Sequence, residues 1–245
     1  MKKILFFLLA SFAMVHVLGQ DKTRARVEII IPKADMVAEF EKGLAAHVQK
    51  FHPKATDPVT VYMVSSGSRS GEYHFVQGPM SWADIAGKQY TGEHSDDWTK
   101  NVAKFTISSE THFYNFNPEY SFNVSQDDFE WSILSFITLN GAAISSYQQL
   151  LKTRVEALTK AKDGRSFGIY AHSFAGRDNE HNYVNVSPLK GGLKDLDTQL
   201  FPPMSKILND NISPNAAVDD SKGVDLSIKK VETMLVRRMA NLSSK

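Results

Sequence analysis

Apolar and polar positions fall into two series of elements with the same order. In the first, Val27-Glu28-Ile29-Ile30-Ile31 predicts a strand, ended by Pro32. Met36, Val37, Phe40, Leu44 and Val48 then recur at helical spacing and place one apolar face on a helix over 34–50. Asp35, Glu39 and Glu41 load its early turns with negative charge, which suits the helix dipole. Val59–Val64 and Tyr73–Gln77 predict two strands around the turn segment Ser65-Ser66-Gly67-Ser68-Arg69-Ser70-Gly71, the second stopped by Gly78-Pro79. Trp82–Ala86 predicts a helical turn and Asp96–Phe105 a second helix, while His112–Phe116 alternates as a fourth strand.

The second series begins with Ile133–Thr138, a strand, followed by a helix over 141–161 with Ile144, Tyr147, Leu151, Val155 and Leu158 on one face. Ser166–Phe174 and Asn182–Val186 predict paired strands joined through Gly176-Arg177-Asp178, and Ser187-Pro188 answers Gly78-Pro79. Leu196–Leu208 predicts a helix interrupted near Pro202-Pro203, and the polar stretch 209–223 predicts a loop. Val231–Met239 reads as a last strand, with a helix from Leu226 as the competing assignment. The joint lies in the polar segment 117–128, which divides the chain into 1–19, 20–122 and 123–245.

Each half therefore predicts β-α-β-β-α-β, the ferredoxin-like order. A half-exposed strand alternates apolar with polar, but Ile29-Ile30-Ile31 and Phe136-Ile137 do not, so both faces of these strands are expected to be buried. Helices cover one face. The other requires a second sheet, and the fold expected is α+β, two tandem ferredoxin-like halves packing sheet-to-sheet as one barrel. This duplicated arrangement resembles the dimeric α+β barrel superfamily. It is nearest in style to the antibiotic-biosynthesis monooxygenase and NIPSNAP-like groups, and the superfamily also holds the chlorite dismutase group of haem enzymes. The resemblance spans 26–239 and rests on element order.

The ends and the composition narrow the setting. Met1-Lys2-Lys3, the apolar run Ile4–Val17 and Val17-Leu18-Gly19 form the basic, apolar and cleavage regions of a secretory signal peptide, leaving Gln20 as the new N-terminus. The run falls short of the ~20 residues a membrane span needs. The mature protein is expected in the periplasm or outside the cell, free of the membrane. The chain of 245 residues has no cysteine, which excludes disulfides, thiolate metal sites and cysteine nucleophiles. Without Lys2 and Lys3 its charges nearly balance, and no basic stripe offers nucleic acid a counterion-releasing surface. A barrel complete within one chain predicts a monomer or homodimer.

Candidate chemistry centres on histidine and aromatic residues. His74 on strand three and His172 on the second copy's strand, sharing a face with Tyr170, are each able to act as a base or to ligate iron. Val64 holds in the first copy the place of His172, and Tyr183 is the expected counterpart of His74. The oxygenase resemblance implies a polar and aromatic cluster, for which His74, Trp82 and Tyr62 are the catalytic candidates. Tyr170, His172, Tyr183 and Asp84 are the ligand-binding candidates, Asp84 because Gly78–Asp84 follows strand three and is placed to rim an entrance. The haem resemblance implies a proximal histidine and a distal arginine in the second half, but no His-bearing helix there supplies the first. Glu93-His94-Ser95-Asp96-Asp97 holds metal-ligand types but reads as a helix start with Ser95 as N-cap, so no metal is expected. Phosphate-binding glycine loops and a serine nucleophile elbow are absent from the sequence.

Three functions follow. The first is an exported barrel that binds a small apolar or aromatic molecule, without a cofactor. The second is a cofactor-independent oxygenase or isomerase acting on a small aromatic substrate. The third is a haem-binding protein using His172. Enzyme and binding module both stay open on the sequence alone.

Overall fold

The computed structural model describes residues 22–88, 90–125, 127–175, 181–197 and 199–245. The expected signal peptide and the Gly176-Arg177-Asp178 turn lie outside them. Eight antiparallel strands close into one barrel in the order β1-β3-β2-β8-β5-β7-β6-β4. They are β1 (Arg24–Pro32), β2 (Val59–Val64), β3 (Tyr73–Met80), β4 (Thr106–Phe116), β5 (Trp131–Leu139), β6 (Gly168–His172), β7 (Tyr183–Pro188) and β8 (Ile228–Arg238). The first four are neighbours in the order β4-β1-β3-β2 and the last four in the order β8-β5-β7-β6. The two sets meet through hydrogen-bonded seams, β2 with β8 and β4 with β6. The two sheets expected to pack face to face are thus joined along both edges, which removes every open strand edge.

Burial on both faces of β1 follows from this closure. Ile29 points into the barrel and Ile30, its neighbour, outward to the helices; they are 6% and 0% exposed. Outside, α1 (Val37–Phe51) lays Phe40, Leu44 and Val48 on Ile30, Val61, Tyr73 and Phe75. Next to it runs α3 (Glu93–Asn101), after the short α2 (Trp82–Gly87). The approach of α1 to α3 is so close that a Cβ on Gly43 would stand 1.7 Å from the carbonyl oxygen of Asn101. Around the other strands, α4 (Ile144–Ala161) packs Tyr147, Leu150 and Leu151 against Ile137, Leu139, Ile169 and Tyr183. Helices α5 (Met204–Asn211) and α6 (Ala216–Ser227) complete that layer.

Several boundaries differ from the sequence pattern. The polar stretch 209–223 is largely helical: α5 ends in it at Asn211 and α6 begins at Ala216, held to α4 by Arg154, whose Nε and Nη2 reach the two carboxylate oxygens of Asp220 at 2.8 Å each. The helix expected from Leu196 onward is α5, which begins only after Pro203, where the ring can no longer obstruct a preceding turn. The competing helix at the C-terminus is not formed past Ser227: β8 pairs with β5 from Ile228 to Arg237, putting Met234 and Val236 inside. Strand β3 continues through Gly78-Pro79 to Met80 instead of stopping there. The helix expected over 96–105 begins earlier and ends sooner, with a 3-10 turn at Ala103–Phe105; its N-cap is Gly92, not Ser95.

Candidate functional site

Inward-facing residues line a cavity of about 640 Å³, open at the end where β1 begins. Its walls are mainly Val27, Val76, Leu134, Val184, Val186 and Val236, and Tyr62 and Tyr170 stand among them. Lys22, Arg24, Pro79, Val124 and Ser132 surround the mouth, and His74, Tyr114 and Phe136 form the floor. This is the size and character of a small-molecule pocket, apolar with a few convergent polar groups.

The floor is backed by imidazoles. His112 Nδ1 lies 3.1 Å from His172 Nε2, and the Tyr114 hydroxyl shares a 2.7 Å hydrogen bond with His181 Nε2. His181 is pushed down to about 3 by burial and by the neighbouring His172 and His112, so it is neutral at neutral pH. His74 is 3% exposed, and burial likewise lowers its pKa against the pull of Glu72. Its Nε2 has no hydrogen-bond partner; Glu72 Oε2 stands 3.7 Å away, beyond hydrogen-bond range. That carboxylate is engaged by Arg69, whose Nε and Nη2 both approach it at 2.8 Å. Burial also raises the pKa of Tyr62 and Tyr170, keeping both phenols protonated.

Of the residues singled out from the sequence, His74, Tyr62 and Tyr170 meet at this cavity. His172 lies behind the floor. Haem iron requires an imidazole nitrogen free at the wall of a slot, and His172 Nε2 is taken up with His112, so it does not fit that role. Trp82 is outside the barrel and 39% exposed, between Phe113 and Phe174 with the Arg24 guanidinium over its ring. Asp84 does not line the cavity, although its carboxylate lies 3.5 Å from Lys22 Nζ at the mouth. Its carboxylate accepts from the Ser81 backbone N–H at 2.8 Å and closes a capping box on α2. Tyr183 faces outward, packed on Tyr147, its hydroxyl accepting from Gln148. Nor is it the counterpart of His74. Ile30 pairs with Tyr73 and Ile137 with Tyr183, so Tyr73 is the equivalent of Tyr183, and His74 corresponds to Val184. A slip of one residue had exchanged the two faces. The expected match of Val64 with His172 agrees with the strand register: Tyr62 pairs with His74 and Tyr170 with Val184, two residues before each.

Similar folds are known. A protein provisionally classed as a monooxygenase from Fusobacterium nucleatum aligns with TM-score 0.55 and 11% identity over 88% of this chain and 91% of its own. An anthrone oxidase-like protein aligns with TM-score 0.51 and 13% identity, covering 89% and 92%. A variant of chlorite dismutase from Candidatus Nitrospira defluvii gives TM-score 0.55 and 8% identity, covering 91% and 94%. The chain has the dimeric α+β barrel fold. Identities this low bear on the fold alone. No family model matches the sequence, and no curated protein matches it.

Sequence reasoning missed a second cluster, on the outer face of the barrel. His47, His52 and His94 bring one ring nitrogen each within 4.8 Å of one another, against the expectation of no metal-ligating group. The available signal was His47 on the apolar face of α1, one residue before Val48. His52 was inconspicuous because it stands just past the helix end, and His94 because it read as part of a helix cap.

Proposed function

We propose that the barrel cavity binds a small aromatic molecule carrying an ionisable hydroxyl or enol, and that His74 accepts its proton. One observation carries this reading: a neutral imidazole at the floor of an apolar cavity whose buried Nε2 has no hydrogen-bond partner. A proton moves from the substrate oxygen to the His74 imidazole, leaving an electron-rich anion in a dry pocket, with the protonated phenols of Tyr62 and Tyr170 as hydrogen-bond donors. Such an anion reacts with dioxygen without a cofactor. For an anthrone-type substrate the CH₂ becomes a carbonyl, taking one oxygen atom, and the second leaves as water. The likeness in fold to monooxygenase-type and anthrone oxidase-like proteins supports the choice of substrate class.

Binding without turnover is the second reading. It is favoured by Arg69 holding the carboxylate that would otherwise stabilise a protonated His74. Oxygen uptake with anthrone, set beside anthrone-induced shifts in melting temperature, separates the two. Uptake lost in His74→Ala supports catalysis, a shift without uptake supports binding, and neither signal with the wild-type chain removes both.

We infer further that the barrel is a tandem duplication of a ferredoxin-like half, divided near 122/123 and exported through the leader 1–19. The repeated strand order and the matching register of Tyr62 with Tyr170 support duplication. No helix among the described residues is long and apolar enough to cross a membrane. A barrel closed within one chain needs no second copy to complete its cavity.

A further inference from the structure

We propose that His47, His52 and His94 bind one divalent transition-metal ion, of which Zn²⁺ is the representative, in the cleft between α1, α3 and the outer face of the sheet. His47 is in the last turns of α1, His52 caps that helix, and His94 opens α3. One ring nitrogen from each lies within 4.8 Å of the others, and His52 Nε2 and His94 Nε2 are 3.3 Å apart. Tetrahedral zinc with bonds of about 2.0–2.1 Å spaces its ligand nitrogens about 3.3 Å apart, so one pair already has the required separation.

The tautomers are set for metal binding. His47 Nδ1 is 2.8 Å from Asp97 Oδ2, and His52 Nδ1 is 2.8 Å from Asp57 Oδ2. Each carboxylate accepts the Nδ1–H, which leaves the Nε2 of His47 without a partner and turns the Nε2 of His52 toward His94 Nε2. Carboxylates that orient a ligating imidazole in this way are a recurrent outer shell of zinc sites. They are themselves fixed here: Asp97 accepts from Asn101, and Asp57 pairs with Lys88 and accepts from Gln77. The Tyr90 ring stacks on His94 at 4.3 Å and limits its rotation.

An independent observation points the same way. His47 is fully buried, yet its Nε2 has no hydrogen-bond partner. A purely structural cluster of three histidines would spend its nitrogens on neighbours, since buried polar atoms are nearly always paired. A cation at the centre gives the His47 lone pair a partner. The donor set also selects the ion. Imidazoles without thiolate or direct carboxylate suit Zn²⁺, Cu²⁺ and Ni²⁺, and not Ca²⁺ or Mg²⁺. The adjoining cleft of about 160 Å³, bordered by Arg26, Glu28, Gln77 and Tyr90, has space for a fourth, exchangeable ligand such as water.

The test uses the untagged mature chain, stripped with chelator and titrated with Zn²⁺ by calorimetry, with Co²⁺ absorption as a geometric probe. The expected results are one equivalent bound, the intense visible bands of tetrahedral Co²⁺, and a zinc-dependent rise in melting temperature. His94→Ala, at a partly exposed position, should fold and bind at least 100-fold more weakly; Asp97→Asn should lose about 10–100-fold while keeping all three ligands. Stoichiometric binding in His74→Ala is expected to be unchanged, which keeps this site distinct from the barrel cavity. Absence of binding to the wild-type chain, or undiminished affinity and unchanged Co²⁺ bands in His94→Ala, would overturn the assignment.

Discussion

His74 and Val184 occupy corresponding places in the barrel: one pairs with Tyr62 on β2, the other with Tyr170 on β6. The same correspondence matches His172 to Val64, and β1–β4 against β5–β8 matches His112 to Met234 and Tyr114 to Val236. Polar groups therefore gather where their equivalents are aliphatic. His74→Val copies the second half's solution into the first. It removes a buried nitrogen with no partner, so stability should hold or rise by about 1 kcal/mol, read from urea denaturation. Oxygen uptake should fall to background. A variant that unfolds would show that the imidazole is structurally required, and one that retains full uptake would exclude it as the base.

Acid should destabilise the fold partly through the buried imidazoles at the floor of the cavity. His181 titrates near 6.5 when unfolded and about 3 when folded. Between those values the unfolded chain binds more protons, so stability rises with pH across the window. It is complete above about 6.5 and is lost progressively as pH falls toward 3, at up to about 1.4 kcal/mol per pH unit for one such imidazole. His74, also lowered by burial, acts in the same direction. Denaturation midpoints at pH 8, 6, 5 and 4 measure the slope. His181→Phe should flatten it; an equal slope in that variant would assign the effect to other groups.

Packing between α1 and α3 gives a test that needs no ligand. Gly43→Ala puts a methyl group 1.7 Å from a backbone oxygen, and only separation of the helices relieves that. A loss of about 3 kcal/mol is expected, the upper range for overpacking. Since α1 carries His47 and α3 carries His94, zinc affinity should fall with it. Gly87→Ala, where nothing stands within 4 Å, is the matched control and should be neutral or gain up to about 1 kcal/mol. Equal melting temperatures for the two variants would contradict the close helix contact.

Much of the barrel was legible because strand burial and helix periodicity are local signals. The run Ile29-Ile30-Ile31 demanded cover on two faces, and the structure supplies cavity on one side and α1 on the other. Ambiguity grew where a local signal had no contrast. Residues 216–227 have a polar surface and a single deep anchor at each end, Ala216 and Ser227, so α6 looked like a loop. The inward residues His74, Tyr62 and Tyr170 were identifiable from strand alternation, whereas Tyr183 was misassigned by the single-residue shift that alternation does not forgive. Trp82 was chosen for chemical type, which carries no direction, and Asp84 for its place after β3, where its carboxylate caps α2 instead. The histidine cleft was invisible for another reason: His94 reaches His47 and His52 only because α3 folds back on α1, a contact between helices separated by two strands in sequence.

The C-terminal tail is also part of the core. Beyond β8, Leu242 is 1% exposed and packs with Phe40, Leu44 and Val59. Ser243 Oγ accepts from the Val61 N–H at 3.0 Å, Ser244 Oγ accepts from the Val59 N–H at 2.9 Å, and the Ser244 hydroxyl donates to the His52 carbonyl. These bonds satisfy the part of β2 that β8 does not reach, since β8 pairs only with Tyr62–Val64. Truncation after Ala240 removes both the anchor and the bonds. Burial of Leu242 alone contributes about 1.5–3 kcal/mol, so the truncated chain should melt well below the full one. Leu242→Ala separates the contributions: it loses the side-chain burial while the serine bonds persist, and its destabilisation should be the smaller. Hydrogen exchange at Val59 and Val61 should quicken in the truncated chain and change less in Leu242→Ala. Protection that survives truncation would mean that β2 finds its partners elsewhere.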